Sequence, residues 1–483
     1  MSTDLLLATD FAAHIARLRR LPRQADPSLR TLFDRESPIH IARAPGRLDI
    51  MGGIGDYSGS LVLELPIAEA AFAAVQVTQA PDVTIASLRP DSKTPPIKTI
   101  SSADWKTLQA NGFEFARAFF ADDPHSAWAA YVAGPVLTLL LEANSNFTGG
   151  LRILIDSAVR EGRGVSSSAA VEVATMRAFA AAIKIDLPGK RLARLCQLAE
   201  NHIVGAPCGI MDQMTSALGC ENELLALRCQ PAVIESFVPI PKEIAFWAID
   251  SGVRHSVGGS DYSSVRCGAF MGYRILADAA GLPAKTAHDP PHVVEIDDPS
   301  WKGYLANITP REFQTRFANA IPTQITGRDF IERYTGTTDP VTRVDPAHTY
   351  AVRAPTLHPI EENERANRFR ALLQNPINEK SLREMAQLIS AAHDSYTACG
   401  LASPATDQIV NLVRESGPTT GLYGAKITGG GSGGAVAILG RSGADDAVTA
   451  IARRYTELTG RESYVFRGSS PGAYSTPVQQ IVI

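Results

Sequence analysis

The chain is poor in cysteine. Six cysteines are scattered along 483 residues without a Cys-x-x-Cys spacing, which argues against structural zinc and against a disulfide framework and fits a reducing compartment. Positive charge is not in surplus either. Charged residues make up 20% and the formal net charge is −4, so no basic patch points to nucleic acid. No apolar run reaches the roughly 18 residues that a membrane-spanning helix needs. The start Met1-Ser2-Thr3-Asp4 lacks the basic and apolar regions of a signal peptide, and the expectation is a cytoplasmic protein. Internal repeats, low-complexity tracts and a Gly-x-x-x-x-Gly-Lys-Ser/Thr loop are missing as well, which sets aside the P-loop solution to nucleotide binding.

Glycine and serine are abundant, concentrated in three segments. They are Ala44-Pro45-Gly46-Arg47-Leu48-Asp49-Ile50-Met51-Gly52-Gly53-Ile54-Gly55-Asp56-Tyr57, Glu161-Gly162-Arg163-Gly164-Val165-Ser166-Ser167-Ser168-Ala169-Ala170, and Thr428-Gly429-Gly430-Gly431-Ser432-Gly433-Gly434. The middle one follows a strand-like run at 151–155 and opens a helix-like run at 169–182. A glycine loop that runs into a helix N-terminus offers unpaired N–H groups and a positive dipole end to an anion. A single serine there is a common helix cap; three in a row exceed what capping needs and predict a phosphate cradle. The third segment matches both Gly-x-Gly-x-x-Gly and Gly-x-Ser-x-Gly, yet each of those motifs needs a helix directly afterwards. Ala435-Val436-Ala437-Ile438-Leu439 follows instead, a buried-strand pattern.

Along the rest of the chain, residues 39–44, 60–67 and 70–78 read as strands. Helical patterning covers 128–142, 190–202 and 210–218, and 246–249 reads as a short buried strand. Residues 280–350 read as a loop-rich insertion, with Asp289-Pro290-Pro291 inside it. Helices are expected at 359–373, 379–395 and 407–415, then a strand, a helix near 445–458 and a final strand. Leu7, Phe11, Ile15 and Leu18 recur at helical spacing behind a Ser2 or Thr3 cap and predict a docking helix. Strands mixed with helices, without a clean βαβ repeat, argue for an α+β fold. The expected division is an extension at 1–35, a first lobe at 36–230 and a second at 231–483.

The order and wording of the three segments resemble the GHMP small-molecule kinases. Residues Ala199-Glu200-Asn201-His202-Ile203-Val204-Gly205-Ala206-Pro207-Cys208-Gly209-Ile210-Met211-Asp212-Gln213 resemble the sugar-kinase branch in particular, and the likeness runs over roughly residues 40 to 475. It implies two lobes with the active site between them, ATP and Mg²⁺, and phosphoryl transfer to an anomeric hydroxyl. By the same resemblance Asp212 accepts the hydroxyl proton and Arg47 stands beside it; read alone, Asp212 is a first-turn carboxylate on a helix dipole. The nucleotide would lie against Gly162, Gly164, Val165, Ser166, Ser167, Ser168, Ala169, Gly430 and Gly431, with Trp128 and Tyr131 at the adenine. Glu200 and one serine of the trio, Ser167, would hold the metal. Asp56, Tyr57, Gly209 and Tyr262 would face the sugar, where a buried carboxylate accepting two hydroxyls rejects the wrong epimer. Sugar and ATP are the expected partners, with no nucleic acid or membrane.

Two departures refine this. Galactokinases carry a Glu-His pair where this chain has Gly53-Ile54, and in the family that pair reaches the C6 hydroxymethyl of galactose. L-Arabinopyranose shares the ring stereochemistry and lacks that group, so an apolar wall at Gly53 and Ile54 suits it. The run 49–63, Gly303-Tyr304-Leu305 and Asp339-Pro340-Val341-Thr342 also resemble the kinase half of plant L-arabinokinases. The second departure is Arg160, where the galactokinase cradle begins with proline. The expected activity is an L-arabinose 1-kinase, with a galactokinase, a kinase of a related sugar or uronic acid, and a non-catalytic sugar sensor as alternatives.

Overall fold

The computed structural model describes residues 3–24, 26–88, 96–143, 145, 147–254, 260–287 and 292–483. Two long antiparallel strands, β1 (Ile39–Met51) and β2 (Leu61–Thr78), form the spine of the larger sheet. Around them lie β3 (Val83–Leu88), β4 (Ile97–Ile100), β5 (Gly150–Ser157), β6 (Glu223–Arg228) and β7 (Val233–Pro239). β5 pairs antiparallel with the second half of β2 and parallel with β3, while β6 pairs with the first half of β2. Two strands expected at 60–67 and 70–78 are thus one. Pro66 does not end it, because it lies opposite an irregularity in β1 between Pro45 and Arg47, the kind of place where a strand tolerates proline. A second irregularity falls between Asp49 and Met51; such bulges re-aim side chains, and Arg47 sits between the two.

Alternation along the strands splits the sheet's faces. Ala42, Ala44, Ala73, Val75, Ile85 and Ile153 face the helices Ala130–Glu142, Ser167–Ala182, Gly189–Ala199 and Met211–Leu218. Ile39, Ile41, Phe72, Ala74 and Leu154 face the other way, against the N-terminal helix Thr3–Arg20. Phe11 packs edge-on to Phe72 at 5.2 Å between ring centroids, and burial of such a ring contributes roughly 1.5–3 kcal/mol. Leu18 is buried and Ile15 half-buried beside it, so the docking helix expected from the spacing is present. The expected cap Ser2 lies outside the described residues, and Thr3 is already helical.

The smaller sheet begins with β8 (Ile244–Asp250). The stretch expected to be a loop-rich insertion has more structure than that. It holds the pairs β9 (Ala284–Thr286) with β10 (Val294–Ile296) and β11 (Gln324–Thr326) with β12 (Thr349–Ala351), and the helix Gly327–Tyr334. Its Trp301, Phe313 and Phe330 are buried in a core shared with the helix Ser260–Ala279; Asp289-Pro290-Pro291 lies outside the described residues. The helix expected at 359 runs from Arg353 to Leu373 with Pro359 inside it. Helix Glu379–Ala398 follows, then β13 (Leu422–Ile427), β14 (Ala435–Arg441) and β15 (Val465–Arg467), arranged β13-β14-β8-β15. Finally β16 (Gln479–Ile481) returns to pair with β1. Leu48 and Leu63 of the first sheet share a core with Phe246, Phe369, Ile389 and Ala437, which joins the sheets behind the site. Helix Ser102–Ala121 escapes sequence patterning because Gly112, at φ 74°, breaks its period. Among the described residues no helix is long and apolar enough to cross a membrane.

Candidate active site

A cavity of about 850 Å³ opens where the three glycine-rich segments meet. Its floor is the loop after β5. Gly162 and Gly164 take left-handed φ angles of 67° and 68°, and Ser166 does so too at φ 58°, a conformation rarely adopted by a residue with a side chain. That turn delivers the chain into helix Ser167–Ala182 with its first N–H groups exposed to the cavity end, and the Ser166 hydroxyl is buried without a partner. The third segment passes close over the loop: a β-carbon on Gly164 would stand 2.9 Å from the Thr428 carbonyl, and one on Gly434 2.9 Å from the Arg163 carbonyl. Glycine is required at both contacts for that approach. After the turn the chain enters β14, not a helix, as the apolar run 435–439 predicts.

Asp212, in the first turn of helix Met211–Leu218, meets Arg47 of β1. Arg47 Nε donates to Asp212 Oδ1 at 2.9 Å and Nη1 to the Gly164 carbonyl at 2.7 Å. Nε also lies 3.2 Å from Glu64 Oε2, and both residues are fully buried. Burial works against the Arg47 charge, but Asp212, Glu64 and Asp49 outweigh it and raise its pKa. Burial and Asp49 push Glu64 well up, against the pull of Arg47.

A second acidic group lies at the cradle helix. Glu200 begins a π-type turn after helix Gly189–Ala199. Its Oε2 accepts from Gln213 Nε2 at 2.6 Å, and the same amide reaches Glu172 Oε2 at 3.3 Å. Burial, then Asp212, raises the Glu200 pKa, while the Ser168 hydroxyl is among the hydrogen bonds that lower it. Burial, then Glu200, pushes Glu172 well up, and its Oε1 has no partner. Among the described residues neither carboxylate forms an ion pair, and no cluster of three metal-ligating side chains occurs. Ser168 hydrogen-bonds Glu200, while Ser167, the expected metal ligand, lines the cavity.

At the other end, Asp56, Gly209, Tyr262 and Ile54 line the cavity. The Tyr57 N–H donates to Asp56 Oδ1 at 2.6 Å. Asp56 is pushed up to about 7, by burial first and Asp212 second, with Arg266 pulling the other way. Arg266 is gripped through two 2.8 Å bonds by Asp339 of the insertion, donates to the Cys208 carbonyl at 3.1 Å, and lies 5.4 Å from the Tyr57 ring centre. Trp128 and Tyr131 line the cavity, as do Gly162, Gly164, Ser166, Ser167, Ser168, Glu200, Arg47, Asp212 and Gly430.

Five expected residues do not line it. Tyr57 is buried behind the wall, edge-on to Tyr262 at 6.1 Å. Val165 and Ala169 are core residues, and Val165 contributes only its carbonyl, which accepts the Arg47 N–H at 3.1 Å. Gly431 packs on Leu401. Gly53 requires a correction: its φ is +42°, and a β-carbon there would run into the Tyr396 hydroxyl behind the turn. Only Ile54 of the pair presents a side chain to the cavity.

Sequence reading passed over Glu64, Glu172 and Arg266, and gave Gln213 and Asp339 no role in the site. A carboxylate inside the apolar run Leu61-Val62-Leu63-Glu64-Leu65 is a readable signal, as is the i, i+4 spacing of Ser168 to Glu172 and of Tyr262 to Arg266. The run that begins at Asp339 stands out by resemblance alone, and nothing local in it points to Arg266.

Residues 130–220 match the model of the GHMP kinases N terminal domain, residues 369–457 that of the GHMP kinases C terminal, and residues 28–77 the galactokinase galactose-binding signature. The chain is 44% identical over 484 residues to an L-arabinokinase of Arabidopsis thaliana, covering 92% of this chain and 47% of that protein. It thus spans about half the length of that relative. It is 29% identical over 426 residues to a galactokinase of Chloroflexus aggregans, covering 88% and 90%. The solved structure of Lactococcus lactis galactokinase complexed with galactose superposes with a TM-score of 0.70 over 98% of this chain and 100% of that one, at 17% identity, a likeness of fold.

Proposed function

Because the chain belongs to the GHMP kinase superfamily, in its galactokinase branch, we propose that it is an ATP-dependent sugar 1-kinase that converts L-arabinose to L-arabinose 1-phosphate. The observation that carries the reading is the convergence in one cavity of the loop 162–168, the Asp212–Arg47 pair and the Asp56–Gly209 wall. Loop N–H groups and the serine hydroxyls hold the nucleotide phosphates. The anomeric O–H gives its proton to Asp212 as its oxygen bonds to the γ-phosphorus and the bond to the ADP oxygen breaks. Arg47 orients Asp212 from the buried side and sets a positive charge beside the transferring group. Most of the catalysis is positioning and charge stabilisation, which suits a site of fixed donors.

Glu200 and the Ser168 hydroxyl fit a magnesium ion: two protein oxygens stand beside the cradle, and the buried Glu172–Glu200 pair has no ion-pair partner among the described residues. Mg²⁺ held there would screen the triphosphate and complete its shell with phosphate oxygens and water.

L-Arabinose is supported by the 44% identical relative and by Ile54, whose apolar side chain lines the cavity. A galactose O6 left without a partner against it costs roughly 1–3 kcal/mol. D-Galactose is the second reading, supported by the galactose-binding signature at residues 28–77. Coupled ADP release measured with L-arabinose, D-galactose, D-glucuronate, D-galacturonate and D-fucose separates them. The expected outcome is the highest kcat/KM with L-arabinose. A higher value with D-galactose moves the substrate, and ATP binding without ADP release on any sugar makes the protein a sensor.

A further inference from the structure

We propose that Arg163 binds the nucleotide phosphates, with Asp250 as its resting partner when no nucleotide is present; this rests on the kinase reading above. Arg163 stands between the two left-handed glycines of the cradle, Gly162 and Gly164, and lines the cavity. It is the single cation in the segment 161–170. The other cradle donors are neutral N–H groups and hydroxyls.

The remaining arginines near the cradle have other engagements. Arg47 is committed to Asp212, Glu64 and the Gly164 carbonyl. Arg160 lies with its guanidinium 4.3 Å from the centre of the Tyr464 ring. Arg254 lines the cavity from the segment after β8, outside the cradle. Arg163 is held loosely by comparison. Its Nε lies 3.2 Å from Asp250 Oδ2, but that oxygen has no aligned hydrogen bond, and Arg163 Nη1 is buried with no partner at all. A buried guanidinium N–H with an unmade bond is costly, and a phosphate offers two oxygens at a spacing that an arginine fork matches.

The backbone on either side cannot shift to help, because Gly434 packs directly on the Arg163 carbonyl. Only the side chain is free to turn. Asp250, at the end of β8, keeps one hydrogen bond when it does, since its Oδ1 accepts the Gly252 N–H at 2.8 Å.

Binding of ATP, ADP and adenosine to the wild-type chain and to Arg163→Gln, by calorimetry with magnesium present and alongside thermal melting, tests the assignment. ATP affinity is expected to fall about tenfold or more, as for a lost charge-assisted bond, while adenosine affinity changes less than about twofold and kcat drops with the ATP affinity. Unchanged ATP affinity, or equal losses for ATP and adenosine, overturns the proposal. If the glutamine variant melts early, Arg163→Met, which keeps the apolar stem, repeats the comparison with the same two outcomes. A wild-type chain that binds no ATP overturns the kinase reading instead.

Discussion

The carboxylate of Asp56 fills the space over the α-carbon of Gly209, so that a β-carbon at 209 would collide with its Oδ2. Asp56 has no room to retreat: it is buried and its Oδ1 is held by the Tyr57 N–H. Gly209→Ala should therefore displace Asp56 and raise the sugar KM by about 10–100-fold, the equivalent of one or two hydrogen bonds to a desolvated hydroxyl. The affinity for ATP should stay within about twofold, because the change is local to the far end of the cavity. Steady-state kinetics in each substrate give both quantities; a rise in both constants together would mean general misfolding.

Asp212→Asn should lower kcat by about 10²–10⁴-fold, the range for a positioned base. Nucleotide binding should survive, since Asp212 meets Arg47 and not the loop 162–168. More than about a tenth of the wild-type kcat would remove the base assignment.

Acid–base behaviour follows from Asp56, raised from 3.8 to about 7 by burial first and Asp212 second. A carboxyl whose folded pKa exceeds its unfolded one binds the extra proton when folded. Its contribution is complete below about pH 4 and lost as pH rises through about 7. The ligand-free protein should therefore lose stability over that window, by on the order of a few kcal/mol. Glu200 adds a slope of the same sign, so urea titrations of the wild type and of Asp56→Asn isolate the share due to Asp56. Sugar binding should run the opposite way and tighten as pH rises through about 7, since sugar hydroxyls donate to the ionised carboxylate.

Ile54→His should raise kcat/KM for D-galactose relative to L-arabinose by about tenfold, the effect of one hydrogen bond to a buried hydroxymethyl oxygen. Gly53→Ala or Gly53→Glu should act on stability instead. At φ +42° with the Tyr396 hydroxyl in the way, a side chain there costs roughly 1–3 kcal/mol or more, and the melting temperature should fall without any change in sugar preference.

The difference between these neighbours marks where sequence reading stops. That residues 53 and 54 replace a polar pair is legible in the chain, but which of them faces the cavity depends on the sign of one φ angle. The glycine-rich loop running into helix Ser167–Ala182 is legible because it is built from consecutive residues, and so is the N-terminal helix, because its period is local. Residues supplied from distant strands and loops are not. Glu64 reaches Arg47 from the neighbouring strand, and Asp339 reaches Arg266 across 73 residues of chain. Helix Arg353–Leu373 started earlier than expected because packing overrode the usual reading of Pro359 as a helix start.

Tyr396 has a consequence for how substrates can enter. Its hydroxyl accepts the Ile54 N–H at 3.0 Å and donates to the Gly429 carbonyl at 2.9 Å, and close by Lys426 of β13 is paired with Asp49 of β1. These buried contacts rivet the turn that presents Ile54 to the strand-end turn that roofs the cradle. Prising that seam apart would break one arm of the Tyr396 bridge and part the buried Lys426–Asp49 charges, at roughly 1–3 kcal/mol or more for each. The sugar wall and the cradle roof therefore travel as one block, and any gate that admits or releases a substrate has its hinge elsewhere along the cavity rim.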